Sequence, residues 1–228
     1  MAETLKVPPQ IAAIAPDGRL SPRQKRGLLL DLGRRKQKAG TGSGLEFMRR
    51  RTAVQPWPDL RETLKGLDWV IVGGVATRAY MPERMTNDLD ILIRASDGAA
   101  VLERLVQAGY GMVSALAIPG YLLRSSGGVE LDVLLGEHSW LDEALAHPEH
   151  DPSGYPVIRL PYLVLLKMTA ARGRDIGDLT TMLGLAGSET LADIRATVAR
   201  YSPEDRDDLE TLIYLGRREM EPPEQSGS

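Results

Sequence analysis

From Trp69 onward the spacing of apolar residues alternates between that of strands and that of helices. Trp69–Val72 is a short continuous apolar run, and Asp88–Ile93 interleaves acids with apolar positions. Gly111–Leu116, Gly120–Arg124 and Val129–Leu135 follow as further strand candidates, with Ser125-Ser126-Gly127-Gly128 as the hairpin turn between the last two. Between these runs, Gly74–Met81 reads as a helix stopped by Pro82, and Ser96 as the cap of a helix reaching Ala108. After Pro161 the pattern becomes helical, with helices expected at about 161–171, 174–184, 188–199 and 203–219. The last of them opens on Ser202-Pro203-Glu204-Asp205, which combines a cap, a proline at the first turn and two acids.

Before Trp57 the signals are weaker. Pro8, Pro9, Pro16 and Gly18 mark residues 1–20 as an irregular leader, and Ser21-Pro22 opens a basic helix running through about Lys38. Ala39–Gly44 is a flexible break, followed by short helices expected near Leu45–Arg51 and Pro58–Lys65. Strands first and helices afterwards predict an α+β fold, a mixed sheet flanked by helices with a helical part behind it.

Charge changes this picture more than composition does. The formal net charge of −3 conceals a segment, Arg19 to Arg51, with eleven Lys or Arg against Asp31 and Glu46. Such a cluster suits a polyanionic partner, because bound cations release counterions from phosphates; a solvated basic helix is the plain alternative. Hydrophobic residues at 43% and charged ones at 26% are ordinary for a soluble protein, and no apolar run is long enough for a membrane span. The opening MAETLKVPPQ does not resemble a secretion signal, so a cytoplasmic location is expected. With no cysteine, thiolate nucleophiles and thiolate zinc sites are excluded, which leaves oxygen and nitrogen groups and hard metals.

The chemistry concentrates in Val72-Gly73-Gly74 and, thirteen residues later, Asp88-Leu89-Asp90-Ile91. A strand entering Gly-Gly and then a helix brings backbone close to a ligand, with amide groups suited to phosphate oxygens. Strand alternation puts Asp88 and Asp90 on one face, about 7 Å apart, with Leu89 and Ile91 on the other. Two such carboxylates repel unless cations lie between them. A third acid is expected from a neighbouring strand. Asp132, within Val129-Glu130-Leu131-Asp132-Val133-Leu134, fits; Glu130 shares its parity but lies nearer the hairpin turn. Lys167 is the single charge between Arg159 and Arg172, inside an apolar run, and a buried lysine needs partners. Asp175 and Asp178 lie three apart on one helical face, placed either to orient Lys167 or to contact a ligand. His138, His147 and His150 lack the spacing of a metal site, and Trp57, Trp69 and Trp140 read as core residues.

Hydrophobic-Gly-Gly, the thirteen-residue gap and Asp-Leu-Asp-Ile together resemble the signature of DNA polymerase β-like nucleotidyltransferases. The lead-in Arg84-Met85-Thr86-Asn87, and the later Lys167, Arg174-Asp175 and Asp178, are more similar still to the AbiEii-like members. The resemblance spans about residues 69 to 184 and covers nothing in the first fifty. The pattern along the chain divides it into a basic, partly helical arm at 1–56, a core at 57–160, a C-terminal helical part at 161–220 and a disordered tail at 221–228. The resemblance implies transfer of a nucleoside monophosphate from a triphosphate, with magnesium or manganese held by Asp88, Asp90 and Asp132. Asp132 would take the acceptor's proton, Gly73 and Gly74 would meet the phosphates, and Lys167 would neutralise the triphosphate, with Arg84 and Thr86 nearby and Asp175 and Asp178 behind. The acceptor implied is RNA, plausibly tRNA, and the role a toxin of a toxin–antitoxin or phage-defence system with a cognate antitoxin as partner. A small-molecule or protein hydroxyl acceptor is a second expectation, and a catalytically silent antitoxin or binding module a third.

Overall fold

The structure, a computed structural model, describes residues 7–36, 57–82, 86 and 88–221. Among them the strands β1 (Val70–Val72), β2 (Asp88–Arg94), β3 (Gly111–Ala115), β4 (Gly120–Arg124), β5 (Glu130–Gly136), β6 (Glu149–His150) and β7 (Pro156–Val157) form one sheet in the order β3-β4-β5-β2-β1-β7-β6. β2 pairs in parallel with β5, and β1 with β7; the remaining pairs are antiparallel. The sheet is therefore mixed, with β2 at its centre. Leu89, Ile91, Leu131 and Val133 are all buried, as the alternation around the acids requires.

The helices are α1 (Pro9–Ala12), α2 (Pro22–Lys36), α3 (Gly73–Ala76), α4 (Gly98–Gln107), α5 (Leu141–Ala146), α6 (Leu160–Ala170), α7 (Gly173–Leu185), α8 (Ser188–Tyr201) and α9 (Arg206–Met220). The α+β class and the long C-terminal helices agree with expectation. Several local readings differ. The helix expected over Gly74–Met81 is a single α-turn continued by a 3-10 turn, Thr77–Ala79. Ser96 does not cap α4 but lies within a 3-10 turn, Ala95–Asp97, ahead of it. Pro58–Lys65 forms turns, with one i→i+4 bond from the Leu64 amide to the Leu60 carbonyl. A segment that short between Pro58 and Gly66, whose φ is +79°, cannot propagate a helix. The helix expected at Leu45–Arg51, and the tail beyond residue 221, lie outside the described residues.

Three elements had no sequence expectation: α1, which lies in the segment read as an irregular leader, α5 and the β6–β7 hairpin. Two-residue strands carry no alternation to read. The hairpin is held instead by Asp151, whose Oδ1 accepts from the Ser153 and Tyr155 amides at 2.9 and 2.8 Å, and whose carboxylate pairs with Arg78.

The second half packs around α6. Its sequence, Leu160 to Ala170, is apolar on nearly every side, so the helix is enclosed and only Lys167 breaks the apolar surface. α2 is anchored to this layer through Arg26. Its guanidinium is buried and donates to Asp208 at 2.7 Å, to Asp205 and to the Met168 carbonyl. Arg23 donates to the Glu204 carbonyl at 3.0 Å and Arg34 to the Thr211 hydroxyl. Three cations of the basic segment are thus spent on holding it to the C-terminal helices.

α7 and α9 cross at Gly184 and Gly216, where the backbones touch. A Cβ on Gly216 would overlap the Thr180 carbonyl oxygen and come within 2.8 Å of the Gly184 nitrogen. Neither obstacle is a movable side chain. Gly216→Ala is therefore expected to destabilise the protein by about 1–3 kcal/mol, despite alanine's better helix propensity. Urea unfolding measures this, and an unchanged or higher midpoint would contradict the close crossing.

Candidate active site

β2 and β5 run parallel with Asp90 directly opposite Asp132, and β1 pairs with β2 so that Val72 faces Asp90. This register brings Asp88, Asp90 and Asp132 together. Each offers a carboxylate oxygen, and the three oxygens lie within 4.8 Å of one another. Among the described residues no other group of His, Asp or Glu side chains meets that condition. Glu130, the competing acid of the same parity, lies opposite Asp88 and pairs with Arg124 on β4 at 2.6 Å.

The crowding of like charge appears in the protonation behaviour. Burial, reinforced by the Asp88 and Asp132 charges, pushes the Asp90 carboxyl up to about 7, against the opposing pull of the Gly74 amide and of Arg172. Asp132 is also raised, by burial first and then by Asp88 and Glu130. Asp88 accepts a hydrogen bond from the Thr86 hydroxyl. A crowded trio in which Asp90 and Asp132 are both raised is a fitting ligand set for a hard divalent cation, and its all-oxygen composition matches magnesium or manganese.

The Gly-Gly turn is shaped by Asp90. Gly73 has φ +64°, in the left-handed region, and a Cβ there would overlap the Asp90 carboxylate. Glycine is thus required twice, for the turn and for the close approach. The Gly74 backbone draws the Asp90 carboxyl down, so this part of the turn favours a charged carboxylate as well as facing the pocket.

A cationic wall stands across the pocket. Lys167 is buried, and its ammonium donates to Asp178 at 2.6 Å and Asp175 at 3.4 Å. Asp175 in turn accepts from the Arg172 Nε at 2.7 Å and from the Arg172 amide at 3.2 Å, closing the N-terminus of α7. Burial tends to raise the Asp175 carboxyl, but Arg172 and Lys167 outweigh it and hold it below its ordinary value. The Arg172 guanidinium is raised chiefly by its bond to Asp175, with further contributions from Asp90 and Asp88. Gly73, Gly74, Thr86, Asp88, Asp90, Lys167 and Asp175 therefore face one pocket, with Asp132 beside it and Asp178 behind Lys167. Arg84 lies outside the described residues. Arg174, which carried the resemblance without an assigned role, and Arg172, which was not singled out from sequence, also line the pocket. The available signal was Arg172's position between two helices; the left-handed conformation of Ala171 before it is visible only in the structure.

The sign of the Asp90 shift sets a stability prediction. The folded state binds this proton more tightly than the unfolded chain, whose value stays near 3.8. Its contribution is full below that value and is lost as pH rises through about 7. In EDTA the thermal midpoint should fall between pH 4.5 and 7.5, and Asp90→Asn should flatten that slope. At pH 7.5 magnesium should raise the midpoint of the parent by a few degrees and leave Asp90→Asn nearly unmoved. Equal slopes in the two proteins, read by calorimetry, would contradict the crowding.

No protein-family model matches the chain, and no curated protein matches it. Among solved structures it is similar to ANT(2″)-Ia in complex with adenylyl-2″-tobramycin, at 17% identity and a TM-score of 0.38, covering 67% of this chain and 88% of that one. It is similar also to the lincomycin-bound lincosamide antibiotic adenylyltransferase LnuA, at 16% identity and a TM-score of 0.35, covering 68% and 92%. A third is terminal uridylyl transferase 4 from Trypanosoma brucei with bound GTP, at 12% identity and a TM-score of 0.27, covering 87% and 70%. All three superpositions are partial, with TM-scores below 0.5.

Proposed function

We propose that this chain is a metal-dependent nucleotidyltransferase that moves a nucleoside monophosphate from a nucleoside triphosphate to a hydroxyl acceptor. The observation that carries the reading is the convergence of Asp88, Asp90 and Asp132 across one strand pair, beside a glycine turn and opposite Lys167 and Arg172. Asp88, Asp90 and Asp132 would hold the divalent ions, which when bound supply charge neutralisation at the phosphates and at the attacking oxygen. The Lys167 and Arg172 cations lie where phosphate oxygens would enter, and Asp175 and Asp178 keep both in place. Asp132 would also take the acceptor's proton. The new bond joins the acceptor oxygen to the α-phosphorus, and the bond to the bridging oxygen breaks as pyrophosphate leaves.

For the acceptor we favour RNA, in the setting of a toxin with a cognate antitoxin. Arg19, Lys25, Arg35 and Lys36 are exposed on and just before α2, a cationic face suited to a polyphosphate backbone. Each of the four radiolabelled triphosphates is incubated with magnesium, total RNA and protein. The expected result is a labelled RNA band with at least one triphosphate, lowered about 100-fold or more by Asp132→Asn and absent with Asp90→Ala. Expression should slow bacterial growth, and Asp90→Ala should relieve it. Transfer that persists in Asp90→Ala would overturn the catalytic assignment; label on a small molecule or protein instead of RNA would move the acceptor.

A further inference from the structure

Adjoining the acid-lined pocket is a second cavity of about 440 Å³, between α2 and the turn that joins α6 to α7. Leu20, Leu28, Leu29 and Ala170 give it an apolar lining, and its charged members are two cations, Lys25 and Arg172. Arg172 belongs to both cavities, and its guanidinium is raised in part by the Asp90 and Asp88 charges, so the two share a wall. Leu29 is 37% exposed, on a helix that is otherwise fastened by the buried Arg26.

We infer that this cavity receives the nucleobase of the donor triphosphate, so that α2 forms part of the substrate site. The inference rests on the nucleotidyltransferase reading. A triphosphate whose phosphates meet the acids and Arg172 carries, one sugar away, a flat body with apolar faces. The cavity offers a matching floor of leucine side chains next to cations, and its volume suits a small ligand. An apolar ligand without phosphates would bury nothing against the Lys25 charge, and a polyphosphate without a base would leave the leucines uncovered. A nucleotide satisfies both halves.

Titration calorimetry of the full chain compares magnesium with ATP, GTP, CTP or UTP against magnesium with inorganic tripolyphosphate, without acceptor. At least one nucleotide is expected to bind about ten-fold tighter than tripolyphosphate. Leu29→Gln should lower that nucleotide's affinity about five-fold and leave tripolyphosphate unchanged. If Leu29→Gln binds the nucleotide as the parent does, the nucleobase site is overturned while the phosphate site stands. If the parent binds neither ligand, the reading beneath it falls as well. Leu29→Trp keeps the wall apolar and guards against misfolding of the polar variant. Its added emission should be quenched by the nucleotide and not by tripolyphosphate, and emission unmoved at saturation overturns the inference.

Discussion

Asp88 and Asp90 on one strand and Asp132 opposite Asp90 on its parallel neighbour repel one another, and the surrounding architecture accommodates that repulsion. Because Asp90 and Asp132 are paired residues, neither can withdraw without breaking the β2–β5 ladder at the centre of the sheet. The apolar side chains between them, Leu89 and Ile91 on one strand and Leu131 and Val133 on the other, are committed to the core. A one-residue slip of either strand would relieve the acids only by turning that strand's two apolar residues out of the core, so core burial enforces the electrostatic crowding.

The relief comes from two layers of different character. Nearest is the backbone: Gly73, without a Cβ and in a left-handed conformation, leaves room for the Asp90 carboxylate, and the Gly74 backbone draws that carboxyl down. Farther out, Arg172 provides positive charge without touching the trio, since its own bonds go to Asp175. Lys167 is stationed in the same way by Asp178 and Asp175. A lysine buried among leucines is tolerable only with such partners, and the partners fix it in one place. The pocket thus combines an anionic side that needs cations with a cationic side held in place by its own acids.

The parts legible in the sequence were those with strong local patterns. Paired acids on a strand, an apolar strand carrying a third, and a lone lysine in an apolar helix each imply their own geometry, and these residues do assemble. Glu130 and Asp132 could not be separated by parity; the Arg124 pairing on the neighbouring strand separates them, and that is a tertiary fact. Arg172 was obscured for a related reason. An arginine at a helix start looks like ordinary surface charge, and only the left-handed turn at Ala171 aims it at β2. The β6–β7 hairpin depends on Asp151 binding amides and Arg78 at once, a contact made across the fold.

The basic N-terminal segment shows how charge counting and charge placement diverge. Read as a sum, Arg19 to Arg51 resembles a tether for a polyanion. Read in place, Arg26 is buried against Asp205 and Asp208, and Arg23 and Arg34 are bonded to the same C-terminal helices. A buried arginine between two acids loses much if either partner leaves, which makes α2 part of the folded body. That attachment puts the leucines of α2 beside Arg172. The helix therefore contributes to the pocket through its apolar side as much as through its cations, and a purely electrostatic account of the segment misses the side that faces inward.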